Sequence, residues 1–300
     1  MLKRKLFYFF IKFLEKVINK KIIYYSKNEN NILGKTAVKS SFGFWYVGDV
    51  LNTADISYGI LNNGVVEKNE TNLVIKILNK LIENKNICFY DTGANTGYYG
   101  ILAGYLGKGK INCYSFEPVK EFCDCLLESI YLNHLEDIVK VFNFALGDRN
   151  SKEDLYLAGS GSSLNKDFIN KPNLSKRRIE IKKLDDIVQD KNLEKPDFIK
   201  IDVEGSEYNV LLGGEKTIRE SLPILFIEIV YSLNNGFVNK NYKKTLEFIR
   251  NLGYRTFCLN DNKLIEVKNG FKPEGVKMFL CLHSVKHDLF IKQLKNEKFS

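Results

Sequence analysis

Two short segments hold most of the side chains of this 300-residue chain that could do chemistry: DTGANTG at residues 91 to 97 and KIDVEGSE at residues 200 to 207. In the first, Asp91 closes an apolar run and is followed by Gly93, Asn95 and Gly97. Such a turn lets the backbone approach a ligand closely before a helix begins, with free N–H groups at the helix start. Gly93, Gly97 and Gly100 stand four and three residues apart, which is not the GxGxxG spacing of dinucleotide sites. An acid directly before the first glycine also suits a cationic group, such as an ammonium or a sulfonium, better than a pyrophosphate. Glu117, in SFEP, lies 20 residues beyond Gly97. That is the separation at which nucleotide-binding α/β folds set a carboxylate on ribose hydroxyls. The two acids together fit an adenosine ligand that carries positive charge.

In the second segment Asp202, Glu204 and Glu207 crowd the end of the apolar run FIKID, and Glu228 interrupts the apolar run LFIEIV. A carboxylate buried without a partner is costly, so Glu228 needs a function or a partner such as Lys200. Clustered carboxylates of this kind can take a proton from a hydroxyl or hold a divalent metal, and residue types alone do not choose between the two. Glu207 reads as a first-turn helix acid favoured by the helix dipole, and Asp148 as a turn residue. His134, His283 and His287 fall at a helix end and in or after the last strand, and none is a strong base candidate.

The elements that would position these groups follow from pattern. Short apolar runs rich in β-branched and aromatic residues predict strands at 87–92, 111–117, 139–146, 197–203 and 223–230. Helices are expected after Gly97, from Pro118 in a first helical turn, over about 206–220 and over about 240–252. Alternation of this kind is the pattern of an α/β fold with a mostly parallel sheet. Residues 153–184 read as an inserted hairpin or flap, because Gly159 and Gly161 interrupt strand-like pieces. Near the C-terminus YRTFCLN, DNKLIEV and VKMFLCLHSV follow one another without helices, which predicts an antiparallel pair closing the sheet.

Five blocks, YDTGANTGYYG, SFEPVKEF, NFALGD, SGSSL and FIKIDVEGSEYNVLLGG, resemble in order those of the FkbM-type S-adenosylmethionine-dependent methyltransferases, from about residue 87 to 215. The resemblance implies a Rossmann-like class I methyltransferase sheet of seven strands with a C-terminal antiparallel pair, and S-adenosylmethionine as cofactor. It implies that Asp91, Gly93, Asn95 and Gly97 surround the methionine portion, that Glu117 binds the ribose, and that Ala145 and Leu146 flank the adenine. The substrate class it implies is a hydroxyl of a sugar, a surface polysaccharide or a secondary metabolite. An O-methyltransferase needs a base, and Asp202, Glu204 and Glu228 are the candidates. A NAD-dependent oxidoreductase of a sugar nucleotide would want the missing GxGxxG, and a nucleic-acid methyltransferase a basic cleft and a D/N-P-P-Y/F motif where IDVEG stands. A cofactor-binding module without catalysis would share the same motifs.

Charge bears on partners once it is located. The chain carries net +9, yet residues 1–27 hold eight basic residues against Glu15 alone, so only +2 is spread over the remaining 273. A nucleic-acid groove is therefore not expected. Leu6, Phe10, Phe13, Leu14, Val17 and Ile18 recur at helical spacing with lysines opposite, which predicts a basic amphipathic helix. It would dock on the main domain or lie on an anionic membrane. It lacks the cleavage site of a signal peptide and the ~20 apolar residues of a spanning helix. Six scattered cysteines read as buried thiols of a reducing compartment, the cytoplasm, with peripheral attachment to the inner membrane surface as an option. The expected division is 1–27 as helix, 28–86 as cap or substrate region and 87–300 as the methyltransferase domain.

Overall fold

The computed structural model describes residues 22–24, 35–50, 52–159, 161–169, 174–234, 236–260, 263–267 and 275–294. It begins with an antiparallel sheet of β1 (Ile22–Tyr24), β2 (Thr36–Lys39) and β3 (Trp45–Gly48), then helices α1 (Ile56–Asn63) and α2 (Lys68–Leu81). β4 (Ile87–Thr92), α3 (Tyr98–Gly107), β5 (Ile111–Phe116), α4 (Lys120–Leu132) and β6 (Val139–Phe142) follow in alternation. β7 (Ala145–Leu146), β8 (Ser151–Tyr156) and β9 (Lys176–Lys182) form a separate small sheet in the order β7-β9-β8. After α5 (Leu184–Asp190) come β10 (Phe198–Ile201), α6 (Glu207–Gly213), α7 (Glu215–Ser221), β11 (Ile224–Val230) and α8 (Tyr242–Asn251). The described chain closes with β12 (Tyr254–Asn260), β13 (Lys263–Glu266), β14 (Val276–His283) and α9 (Asp288–Leu294).

The main sheet has eight strands in the order β13-β12-β14-β11-β10-β4-β5-β6. Five neighbours, from β11 to β6, run parallel, and β14 enters antiparallel between β11 and β12. The expected seven strands are joined at the edge by β13. Every residue of β4 and β10 is buried, as helices on both faces require. Two apolar cores result, one on each face, the first anchored by Phe89, Phe198 and Phe226 and the second by Tyr90, Phe116 and Phe279. β5 and β6 extend to one side of β4, while β10 and β11 extend to the other. The strand order therefore reverses between β4 and β10, and in such sheets the crevice at the C-terminal strand ends is the place for a ligand.

Several boundaries differ from expectation, each for a local reason. The run 139–146 breaks after Phe142, where the Asn143 side chain donates to the carbonyls of Glu117 and Pro118, and Ala145–Leu146 leave to pair with β9. The helix expected over 206–220 divides at Gly214, because the Asp185 carboxylate accepts from the N–H groups of Lys216 and Thr217 and starts a new helix there. Pro118 precedes α4 instead of entering its first turn, since Glu117 accepts from Val119 N–H and holds the chain extended. The inserted hairpin is present as β8 and β9, paired antiparallel.

The expected helix over 1–27 lies mainly outside the described residues, but its end differs: Ile22–Tyr24 is a strand on β2, where β-branched and aromatic side chains favour extended backbone. The region from 35 to 86 packs on the main sheet. Phe44, Tyr46, Ile60 and Leu73 share a core with Phe89, Tyr98 and Leu126. β3 is fastened to α4, where Ser129 Oγ accepts from Val47 N–H at 2.9 Å and Asn133 Oδ1 from Trp45 N–H at 2.8 Å.

Candidate active site

Because β4 and β10 are adjacent, the two chemistry-bearing segments meet. Gly93 has φ of 74°, and a Cβ there would stand 1.8 Å from the carbonyl oxygen of Asp202. Only glycine lets the β4 turn pass so near the end of β10. Asn95 is also left-handed, with φ of 53°, and its N–H donates to Glu117 Oε2 at 2.9 Å. The other oxygen of Glu117 accepts from Val119 N–H at 2.8 Å. Glu117 thus ties the β4 and β5 turns together, and each oxygen keeps a second lone pair for a ligand hydroxyl. Burial pushes its carboxyl up to about 7, against these hydrogen bonds and with the help of Asp91 and Asp202.

The resulting cleft is open to solvent on one side and holds a cavity of about 70 Å³. Gly93, Asn95, Glu117, Ala145 and Leu146 border it, as do Asp202, Glu204 and Ser206. Its apolar walls are Phe116, Val119, Phe122, Leu155 and Leu164. Those walls come largely from α4 and the hairpin, and sequence reasoning missed them. Val119 and Phe122, three apart at the start of a helix, were the available signal. Asp91 and Gly97 stand behind the cleft. Asp91 is 1% exposed and one oxygen accepts from Gly100 N–H at 3.1 Å, while Oδ1 is buried without a partner among the described residues. Burial, opposed by Lys200, pushes its carboxyl up to about 6.

Asp202, Glu204 and Glu228 each offer a carboxylate oxygen, all within 4.8 Å of one another. Among the described residues this is the trio close enough to share a cation. The β10–β11 register explains the meeting: Lys200 is level with Phe226, so Asp202 comes level with Glu228 at the strand end. Glu204 has φ of 52° and Gly205 of 97°, and two left-handed residues in sequence turn the chain back over the strand. The hairpin secures that turn, because Ser163 Oγ donates to the carbonyl of Glu204 at 2.7 Å and Phe168 packs on Gly205. Burial, then Asp202 and Glu207, push the Glu204 carboxyl up to about 8. Burial and the same neighbouring acids hold Glu228 well above the usual carboxylate range.

Glu207 accepts from Gly205 N–H at 2.7 Å and is fully buried, so it serves the turn. Burial raises it to about 7. Lys200 pairs with Asp202, Nζ to Oδ2 at 2.7 Å, and not with Glu228. The histidines lie outside the cleft; His287, whose Nδ1 accepts from His283 N–H, is pushed by burial down to about 4. All six cysteines are free and buried.

The cleft fits an adenosine-bearing cation. A flat base suits the apolar walls, and a ribose suits the spare lone pairs of Glu117. The strand order and the carboxylate-bearing turn are those of the class I methyltransferase fold, whose cofactor is S-adenosylmethionine. The family model described as Methyltransferase FkbM domain matches residues 91–256, more than half of the chain, and the chain belongs to that family.

Among solved structures it is similar to methyltransferase FkbM from Methylobacillus flagellatus, at 19% identity and a TM-score of 0.41, over 65% of this chain and 43% of that chain. It thus spans less than half the length of that relative. It is also similar to precorrin-6y C5,15-methyltransferase from Geobacter metallireducens, at 15% identity, TM-score 0.41, 74% of this chain and 92% of that chain. A third is an S-adenosylmethionine-dependent O-methyltransferase from Thermotoga maritima, at 11% identity, TM-score 0.40, 82% of this chain and 77% of that chain. Comparison with curated proteins finds no match.

Proposed function

We propose that the chain methylates a hydroxyl oxygen of a sugar, a surface polysaccharide or a secondary metabolite, with Glu204 as the base. The observation that carries this reading is the convergence of Asp202, Glu204 and Glu228 within 4.8 Å beside the cleft. S-adenosylmethionine, when bound, supplies a methyl group on a sulfonium sulfur. Asp91, Gly93, Asn95 and Gly97 would hold its methionine end, Glu117 its ribose, and Ala145 and Leu146 its adenine. The chain's own task is then to align the acceptor oxygen, exclude water and take the hydroxyl proton as the oxygen attacks. Asp202 is engaged by Lys200 and Glu207 by Gly205 N–H. Glu204 borders the cleft with no ion pair to its carboxylate among the described residues, which favours it as the base. Asp202 and Glu228 would orient the acceptor. Residues 1–27 would hold the protein at an anionic membrane surface on the cytoplasmic side.

The test is transfer of labelled methyl groups to a panel of sugars, sugar nucleotides and purified surface polysaccharide. On the acceptor so found, Glu204→Gln lowers turnover by ~10²-fold or more while cofactor affinity holds. Full turnover in each of Asp202→Asn, Glu204→Gln and Glu228→Gln would remove the carboxylate base from this reading.

A further inference from the structure

Lys200 is out of character with its strand. It lies in the buried run FIKI, is 3% exposed, and points its ammonium into a group of acids. Nζ is 2.7 Å from Asp202 Oδ2 and 4.9 Å from the centre of the Tyr99 ring. The Tyr99 hydroxyl donates to Glu67 Oε2 at 2.8 Å, so Glu67, just ahead of α2, backs the ring that faces the ammonium. In the strand register Lys200 is level with Asp91 of β4, which puts both side chains on one face of the sheet. One cation therefore stands between the acid behind the cofactor turn and the acid at the reaction end. Burial alone would lower the ammonium, but Asp202, Asp91 and Glu67 together hold it above the usual lysine range, so it stays charged. Its charge acts in turn on Asp91, Glu204 and Glu228, lowering each.

A buried ion pair is rarely kept for stability alone, since well-packed apolar residues commonly do as well. Here the charge itself has a use. The cofactor is a cation at sulfur and its demethylated product is not, so the net charge of the cleft sets how strongly one is preferred over the other. A cleft with too much negative charge holds the charged ground state too well, because the positive charge leaves sulfur as the methyl group moves. We propose that Lys200 is the internal counter-ion of the site, a positioning residue that holds Asp202 by an ion pair and limits the preference for the cationic cofactor over its neutral product. The inference rests on the cofactor assignment and adds to it the residue that tunes it.

Calorimetric titration of the full chain at pH 7.5 with S-adenosylmethionine and S-adenosylhomocysteine tests it without any acceptor. Lys200→Met raises the affinity ratio of cofactor to product by about tenfold, the effect of one uncancelled charge in a partly screened site. Lys200→Arg, which keeps the charge, returns the ratio to within about twofold of the parent. Asp202→Asn lowers the ratio, and the double variant Lys200→Met with Asp202→Asn restores it, because net charge is restored. A lysine that merely packs the core would weaken both ligands together, and an unchanged ratio in Lys200→Met overturns the proposal. Should Lys200→Met not fold, the comparison of Asp202→Asn with the double variant decides, and equal ratios in those two overturn it as well. Failure of the parent to bind either ligand overturns the cofactor assignment and this inference with it, a result distinct from binding with a flat ratio.

Discussion

Glu204 is a carboxyl held near neutrality by its surroundings, and that has consequences for both stability and rate. Its acid form persists in the folded chain up to about pH 8, against an ordinary value of 4.5. The folded state therefore binds more protons than the unfolded state across that window, and stability falls as pH rises through it. Glu204→Gln removes this one contribution. The variant is expected to match the parent near pH 4.5 and to exceed it by ~1–3 kcal/mol at pH 8.5, read from urea unfolding at the two pH values. Equal stability of the two proteins at pH 8.5 would mean that the carboxyl is not raised. A base held near 8 also predicts that kcat/KM rises with pH up to about that value, with the kcat limb lower, because a bound cation favours the carboxylate. At this scale the sequence was informative: Asp202, Glu204 and Glu228 stood out as acids in apolar runs. The pairing of Lys200 was not legible, because whether a strand lysine meets Asp202 or Glu228 depends on side-chain direction and not on spacing.

The hairpin of β8 and β9 is an element with two jobs, a wall and a clasp. Leu155, Ser162 and Leu164 face the cleft, while Ser163 reaches past them to the carbonyl of Glu204 and also accepts from Asn165 N–H at 3.1 Å. Removing the hydroxyl leaves a carbonyl without its donor at a turn that already holds a non-glycine residue at positive φ. Ser163→Ala should cost ~1–2 kcal/mol and speed amide exchange over residues 203–207, and an unchanged exchange rate there would show that the clasp is idle. The strands of the main sheet were readable because burial on both faces demands continuous apolar runs. The breaks were not. Strand 139–146 ends because Asn143 caps groups 25 or more residues away, and helix 206–220 divides because Asp185 supplies N-terminal acceptors from another element. Such causes are distant in sequence, so no local window contains them.

At the scale of the whole molecule, the stretch from 28 to 86 was the least legible part, and the packing of its described residues shows why. Its strands are short, and the free edge of β3 is satisfied by Ser129 of α4 and by Asn133 just after it instead of by a neighbouring strand. Residues 35–86 therefore share the core of the main sheet, and Glu67 reaches Tyr99 beside Lys200. Because β1 pairs with β2, a truncation meant to probe the basic segment should stop at residue 20 and leave Ile22–Tyr24 in place. Among the described residues no helix is long and apolar enough to cross a membrane. Lys3, Arg4, Lys5, Lys12, Lys16 and Lys20 face one acid, Glu15, in that stretch, and each basic residue near an anionic surface contributes ~1 kcal/mol before screening. The full chain is expected to sediment with vesicles of mixed phosphatidylserine and phosphatidylcholine at low salt and to be released as salt shortens the Debye length. The form lacking residues 1–20 should remain in the supernatant while still binding S-adenosylhomocysteine, which separates loss of attachment from loss of fold. If the full chain also stays in the supernatant, the basic segment serves the protein itself and the membrane reading falls.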